Sequence, residues 1–179
     1  MEMRQVRKEE YKLTEDFVYE VFKHTSYSDG RLEKALVREI REKPYYLPQF
    51  DLMIEADGSL AGHVMLSRFP IGGGQGGEVL MLSPVSVAAS RQRQGIGRHM
   101  VGTALEITAR RGYKAVIVEG DYRYYRQFGF RTSTEFGLHA SKKNLPPAPE
   151  YLMAMELCPG GLASISGEVD YSIYQALTH

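Results

Sequence analysis

The sequence predicts a mixed α/β fold, one sheet with helices packed against it. Three observations predict it: two β-rich runs joined by Asp57-Gly58, a long amphipathic helix directly after a strand, and the order of elements along the chain. That order is strand, two helices, three strands, helix, strand, short helix and late strands. It describes a mixed sheet rather than a regular βαβ succession. With 179 residues and an apolar fraction of 43%, the chain suits one domain, residues 1–179, around one sizeable core.

Residues 3–6 open as a short strand. Over residues 9–22, Leu13, Phe17, Val18, Val21 and Phe22 recur at helical spacing and predict one buried helix face. A turn at 26–30 leads to a second helix, where Leu32, Leu36 and Ile40 stand four apart and Pro44 marks the stop. Residues 50–56 and 60–69 read as an antiparallel pair, because Asp57-Gly58 suits a tight hairpin whose two central positions need positive φ. The glycine run 72–77 is read as a loop leading into strand 79–87. It lacks the Gly-Lys-Ser or Gly-Lys-Thr ending of a phosphate loop, since Glu78 follows instead.

Residues 95–111 form the strongest helix pattern, with Ile96, Met100, Val101, Ala104, Leu105 and Thr108 on one face and Gly112 as its stop. Residues 114–118 read as a buried strand, 122–127 as a short helix, and 151–157 as a strand after the proline-rich stretch 146–149. One more strand is expected near 168–171. The region carrying motifs is 50–135, and the C-terminal strands fall in 150–175.

Composition narrows the function classes. Acidic and basic residues balance at 22 each, so no global field draws the chain to nucleic acid or to an anionic membrane surface. The single cysteine, Cys158, is the pattern of a reducing compartment and points to the cytoplasm. The N-terminus shows no apolar signal region, and no run approaches the ~20 apolar residues of a membrane span. The five histidines and the cysteine show no metal-ligand spacing, and the tyrosines form no basic, aromatic nucleic-acid stripe.

Chemistry concentrates where strand 79–87 gives way to Ser90-Arg91-Gln92-Arg93-Gln94-Gly95-Ile96-Gly97-Arg98. The first N–H groups of a helix have no intrahelical partner and lie at the positive end of its dipole, so a phosphate there accepts several aligned hydrogen bonds. Gly95 and Gly97 allow close approach, and Arg91, Arg93 and Arg98 add charge-assisted contacts. The same residues also suit a plain strand-to-helix turn with solvated arginines. Physics alone names an anion site without naming the anion.

Gln92-Arg93-Gln94-Gly95-Ile96-Gly97 resembles the Gln/Arg-x-x-Gly-x-Gly/Ala signature of the GNAT N-acetyltransferase superfamily. Val85-Ser86-Val87 precedes it at the family's spacing. Tyr124-Tyr125-Arg126-Gln127-Phe128-Gly129-Phe130 follows as the family's aromatic segment. Gly120-Asp121 before Tyr124-Tyr125, with Tyr151-Leu152-Met153 and Glu156-Leu157 in the tail, is similar more narrowly to a bacterial subfamily of predicted N-acetyltransferases, over roughly residues 50 to 170.

The resemblance implies a mostly antiparallel sheet splayed at the cofactor site, helices on both faces, and acetyl-CoA as cosubstrate with no metal. Main-chain groups of Val85, Ser86 and Val87 would pair with the pantetheine arm. Arg93, Gln94, Gly95, Ile96, Gly97 and Arg98 would enclose the pyrophosphate, with Gln92 closing the turn. Tyr125 would protonate the departing thiolate, or else only pack beside Phe128 and Phe130. A backbone N–H near Val85 would polarise the thioester carbonyl.

Many relatives carry a basic glutamate where this chain has Met81. Glu78 lies three residues earlier, about 10 Å along a strand and on its opposite face, so it would act only through a bulge or a water; otherwise it is a solvated carboxylate. Glu119 and Asp121 are alternative carboxylates, while His63 and His99 match no family position. The reaction implied is acetyl transfer to a primary amine of a small molecule or peptide, by direct attack in a ternary complex. The alternative, motivated by Met81, is a non-catalytic acyl-CoA-binding or sensing module. Tyr27, Tyr45 and Tyr46, with the first two helices and the loop 136–149, would wall the acceptor cleft. The late strands would support a homodimer, as in many relatives.

Overall fold

The computed structural model describes residues 1–72 and 77–178. Its strands are β1 (Glu2–Gln5), β2 (Asp51–Ala56), β3 (Ser59–Arg68), β4 (Val79–Val87), β5 (Ala115–Glu119), β6 (Arg131–Thr132), β7 (Leu138–Ala140), β8 (Leu152–Glu156) and β9 (Gly167–Val169). Its helices are α1 (Tyr11–Phe22), α2 (Arg31–Glu42), α3 (Ile96–Arg110) and α4 (Tyr122–Tyr125). Seven strands form a sheet in the order β1-β2-β3-β4-β5-β8-β6, and β7 pairs with β9 apart from it. The β1–β2, β2–β3, β5–β8 and β6–β8 ladders are antiparallel and the β4–β5 ladder is parallel, the mixed, mostly antiparallel sheet that was expected. Of the glycine run read as a loop, residues 73–76 lie outside the described residues.

The chain packs as two compact units. The first comprises Met1–Ser67 with Ser83–Glu106. In it the β2–β3 hairpin turns at Asp57 (φ 52°) and Gly58 (φ 72°), so both central residues take the positive φ that the dipeptide predicts. The expected faces of the two long helices fare differently. On α3, Ile96, Met100, Val101, Ala104 and Leu105 are all buried. On α1 the buried residues are Thr14, Glu15 and Val18, and Leu13 is 52% exposed. The face is rotated because α1 packs on α2 through charge as well as through apolar groups.

That charge forms one hydrogen-bonded cluster. Arg41, its side chain only 4% exposed, donates to Asp51 Oδ2 through Nε at 2.9 Å and to Asp51 Oδ1 through Nη2 at 3.3 Å. Its remaining N–H groups reach Thr14 Oγ1 at 2.8 Å, the Tyr11 carbonyl at 3.0 Å and Glu15 Oε1 at 3.3 Å. All five guanidinium donors are thereby engaged. Asp51, wholly buried, also accepts from Tyr46 OH at 2.9 Å and from His63 Nε2 at 2.8 Å. Burial alone would raise its carboxyl; the hydrogen bonds from His63 and Arg41 outweigh this and hold it below the ordinary range.

At the edge of this unit Arg4 bridges Glu10 at 2.7 Å and Glu55 at 3.1 Å. The Arg4 hydrogen bond, helped by the Arg7 amide, brings the Glu10 carboxyl from 4.5 down to about 2. A depressed folded-state value stabilises the fold above the unfolded value and ceases to do so as pH falls through the folded one. Glu10→Gln should therefore match the wild type in stability near pH 2 and fall below it above pH ~4.5. Urea unfolding at the two pH values checks this, and a difference that does not change with pH would refute it.

The second unit comprises Arg68–Leu82 with Ile107–His179. Its β4–β5 ladder is short, joining Val79–Met81 to Ala115–Ile117, whereas β5 pairs along its whole length with β8, ending at Glu119 opposite Leu152. Ala115, Val116, Ile117, Val118, Phe130, Leu152 and Met153 are buried here, as the expected strands require. The last expected strand is found as β9, and its partner β7 lies in the stretch read as loop 136–149. Three residues, Leu-His-Ala, are too few to display a strand period.

Candidate active site

The turn expected to bind an anion lies in the first unit. After β4 a single 3₁₀ turn, Ala89–Arg91, leads to Arg93 at φ 60° and Gly95 at φ 83°, and α3 begins at Ile96. The left-handed conformation at Gly95 is one that only glycine adopts freely. A Cβ built there would meet nothing within 4 Å, so its outer side is open. The first i to i−4 bond runs from His99 N to Gly95 O at 2.9 Å, which leaves the preceding amides of α3 without helical acceptors.

The glutamines shape the turn. Gln92 Nε2 donates to the Val87 carbonyl at 3.2 Å and Gln94 Nε2 to the Ser90 carbonyl at 3.0 Å. Arg91 is tied to Asp57 of the hairpin at 2.8 Å, while Arg93 and Arg98 are exposed beside the turn. Along β4, Ser86 is buried, and Val85 and Val87 are half-buried with side chains on the other face. Gly62 of β3 sits under this strand. A side chain there would lie 2.9 Å from Ile54 Cγ2, 3.0 Å from Met100 Sδ and 3.2 Å from the Ser86 carbonyl.

The tyrosine segment lies in the second unit. Asp121 caps α4 by accepting from Arg123 N at 2.9 Å, and it also takes Arg123 Nε and Nη2 at 2.9 Å each. These bonds hold its carboxyl below the usual range. Tyr125 is half-buried, with ring centroids 5.0 Å from Tyr124 and 5.8 Å from Phe130. Its ring lies across Gly120, where a Cβ would come within 2.8 Å of Tyr125 Cε2. In the sequence Gly120 marks only the resemblance to the subfamily; in the structure it makes this contact.

The expected carboxylates differ sharply in surroundings. Glu78 is ion-paired with Lys114 at 2.8 Å. Glu119 is exposed at the end of β5, yet partial loss of hydration holds its carboxyl above the ordinary range. Met81 is 1% exposed, so the position that is glutamate in many relatives is apolar core here. His63 belongs to the Asp51 cluster, and His99 is exposed on α3. Of the expected acceptor-wall tyrosines, Tyr46 lines a cavity of the first unit with Gln5, Val6, Lys8, Tyr11 and Pro48, and Tyr27 is exposed. Among the described residues no helix is long and apolar enough to cross a membrane, and no group of three or more His, Cys, Asp or Glu is placed to hold a metal ion.

The profile of the Acetyltransferase (GNAT) family matches residues 8–130, more than half of the chain. The chain belongs to the GNAT acetyltransferase family. Among curated relatives this GNAT chain is 25% identical over 139 residues to the uncharacterized N-acetyltransferase YhbS of Escherichia coli, covering 78% of this chain and 80% of that one. It is 27% identical over 99 residues to the uncharacterized N-acetyltransferase YjhQ of the same organism, a match spanning 55% of each chain and so about half the length of YjhQ. The crystal structure of YhbS in complex with CoA superposes with a TM-score of 0.81 at 23% identity, covering 95% of this chain and 88% of that one, a likeness of fold. A GNAT acetyltransferase of Brucella melitensis, solved with acetyl-CoA, gives a TM-score of 0.72 at 25% identity, covering 88% of both chains.

Proposed function

We propose that the protein transfers an acetyl group from acetyl-CoA to a primary amine of a small molecule or peptide, by direct attack in a ternary complex, with residues 1–179 acting as one domain in the cytoplasm. The observation that carries this reading is the turn at Gly95, whose left-handed backbone and open outer side lead straight into the free amides of α3 at the family signature. An anion bound there accepts several aligned N–H groups at the positive end of a 15-residue helix. The backbone of Arg93, Gln94, Gly95, Ile96, Gly97 and Arg98 holds the pyrophosphate, Gln92 closes the turn, and Val85, Ser86 and Val87 pair with the pantetheine.

Each chemical need of the reaction then has a candidate. A backbone N–H near Val85 stabilises the developing oxyanion, and Tyr125 gives its proton to the departing sulfur. Glu78 suits the role of base poorly, because its carboxylate is already engaged by Lys114 at 2.8 Å. The homodimer expected from family likeness stands as part of this proposal.

Calorimetric titration with acetyl-CoA, followed by thiol release in the presence of a panel of primary amines, tests the reading. Binding with turnover of at least one amine is expected; neither binding nor turnover would overturn it. The buried Met81 favours a second reading, an acyl-CoA-binding or sensing module. Tight CoA binding with no transfer to any amine would select that alternative.

A further inference from the structure

We propose that the cavity of the first unit lined by Tyr11 and Tyr46 is a small-molecule site apart from the turn at Gly95, and that it takes an aromatic carboxylate bearing a hydroxyl group. It concerns residues of the first unit alone and does not rest on the acetyl-transfer reading.

The cavity holds about 800 Å³, the size of a small-molecule site, and opens where β1 runs out and the chain returns from α2 towards β2. Its walls are aromatic and fixed. The Tyr11 and Tyr46 rings stand edge to face with centroids 6.3 Å apart, and the Arg41 guanidinium lies 4.0 Å from the Tyr11 centroid. Arg41 is in turn held by Asp51, Thr14 and Glu15. Val6 and Pro48 complete an apolar lining. Flat walls already in place before any ligand arrives suit a planar ring.

The hydrogen bonds behind the wall fix what the ligand must bring. Asp51 is held ionised and can only accept, so Tyr46 OH donates to its Oδ2 at 2.9 Å. Burial first and the Asp51 charge second keep the Tyr46 phenol protonated, which makes this direction permanent. The 2.9 Å bond between the two phenols therefore uses the Tyr11 proton. Tyr11 is left with lone pairs alone, and a polar group that meets its oxygen has to donate.

Charge at the rim fixes the other end. No Asp or Glu lines the cavity, whereas Arg7 and Lys8 do. The Glu10 carboxylate, which Arg7 also feels, is bonded to Arg4 through both oxygens, and Glu15 is taken by Arg38 and Arg41. Glu9 is exposed and outside the lining. Among the described residues Lys8 has no ion pair, so the rim carries positive charge that a carboxylate offsets. Lys8 and Tyr11 stand three positions apart where the 3₁₀ turn Lys8–Glu10 runs into α1, so one small ring bearing both groups spans them.

Calorimetric titration of the full chain with 4-hydroxybenzoate, benzoate and 4-hydroxybenzyl alcohol, with and without saturating CoA, tests the site. 4-Hydroxybenzoate should bind once per chain whether or not CoA is present. Benzoate, which lacks the donor, and the alcohol, which lacks the charge, should each bind about tenfold more weakly, the worth of one such contact. Tyr11→Phe should make 4-hydroxybenzoate and benzoate bind equally, a change of preference that a merely structural loss does not produce. Lys8→Glu, at an exposed position, should weaken both carboxylates on the order of tenfold and leave the alcohol unchanged. No saturable binding to the wild type, displacement by CoA, or a preference that either variant leaves unaltered would overturn the proposal.

Discussion

Replacing Arg41 with methionine should lower the unfolding free energy by about 3–5 kcal/mol, the cost of leaving a buried charge without its partner. The guanidinium is the sole cation that reaches both wholly buried Asp51 and nearly buried Glu15 among the contacts described above. Without it Asp51 would keep only Tyr46 and His63 of the partners described above, and Glu15 would keep Arg38, whose side chain is 60% exposed. Water cannot take over, because Asp51 presents no surface. Urea unfolding at neutral pH measures the loss. A change below ~1 kcal/mol, the range of exposed ion pairs, would show that the cluster is more hydrated than its burial implies. Adding Asp51→Leu to Arg41→Met should return part of the loss, since removing both charges also removes their desolvation cost.

Tyr125→Phe should lower kcat on the order of 100-fold while leaving CoA affinity unchanged, because in the proposed reaction the phenol acts on the sulfur only as the C–S bond breaks. The ring contacts with Tyr124, Phe130 and Gly120 survive the substitution, so the fold should lose little. Thiol release under saturating acetyl-CoA and amine, with calorimetry for CoA, separates the two effects. An unchanged kcat would reduce Tyr125 to a packing residue and assign the sulfur's proton to water.

Much of the fold was legible because it is local. Asp57-Gly58 forced its hairpin, since both residues take the positive φ that the dipeptide favours. The α3 face followed from helical spacing, and all five of its named residues in the first unit are buried. The strand-to-helix turn was readable for the same reason: a left-handed Gly95 and a helix start at Ile96 are properties of a few consecutive residues. The α1 face was not readable. Its orientation depends on Glu15 meeting Arg38 and Arg41, 23 and 26 positions away, and periodicity counts apolar residues without knowing which charges are paired.

The amino-acid sequence by itself determined the element order, the hairpin, the strand-to-helix turn and the family, because each depends on short-range periodicity, glycine conformation or motif spacing. Only the tertiary structure decided which carboxylates are occupied. Glu78 meets Lys114 across 36 positions and Glu119 meets none of the cations described above, although the sequence presents both as glutamates flanking strands. Proton affinity follows hydration and neighbouring charge, and both are set by the packing of distant segments.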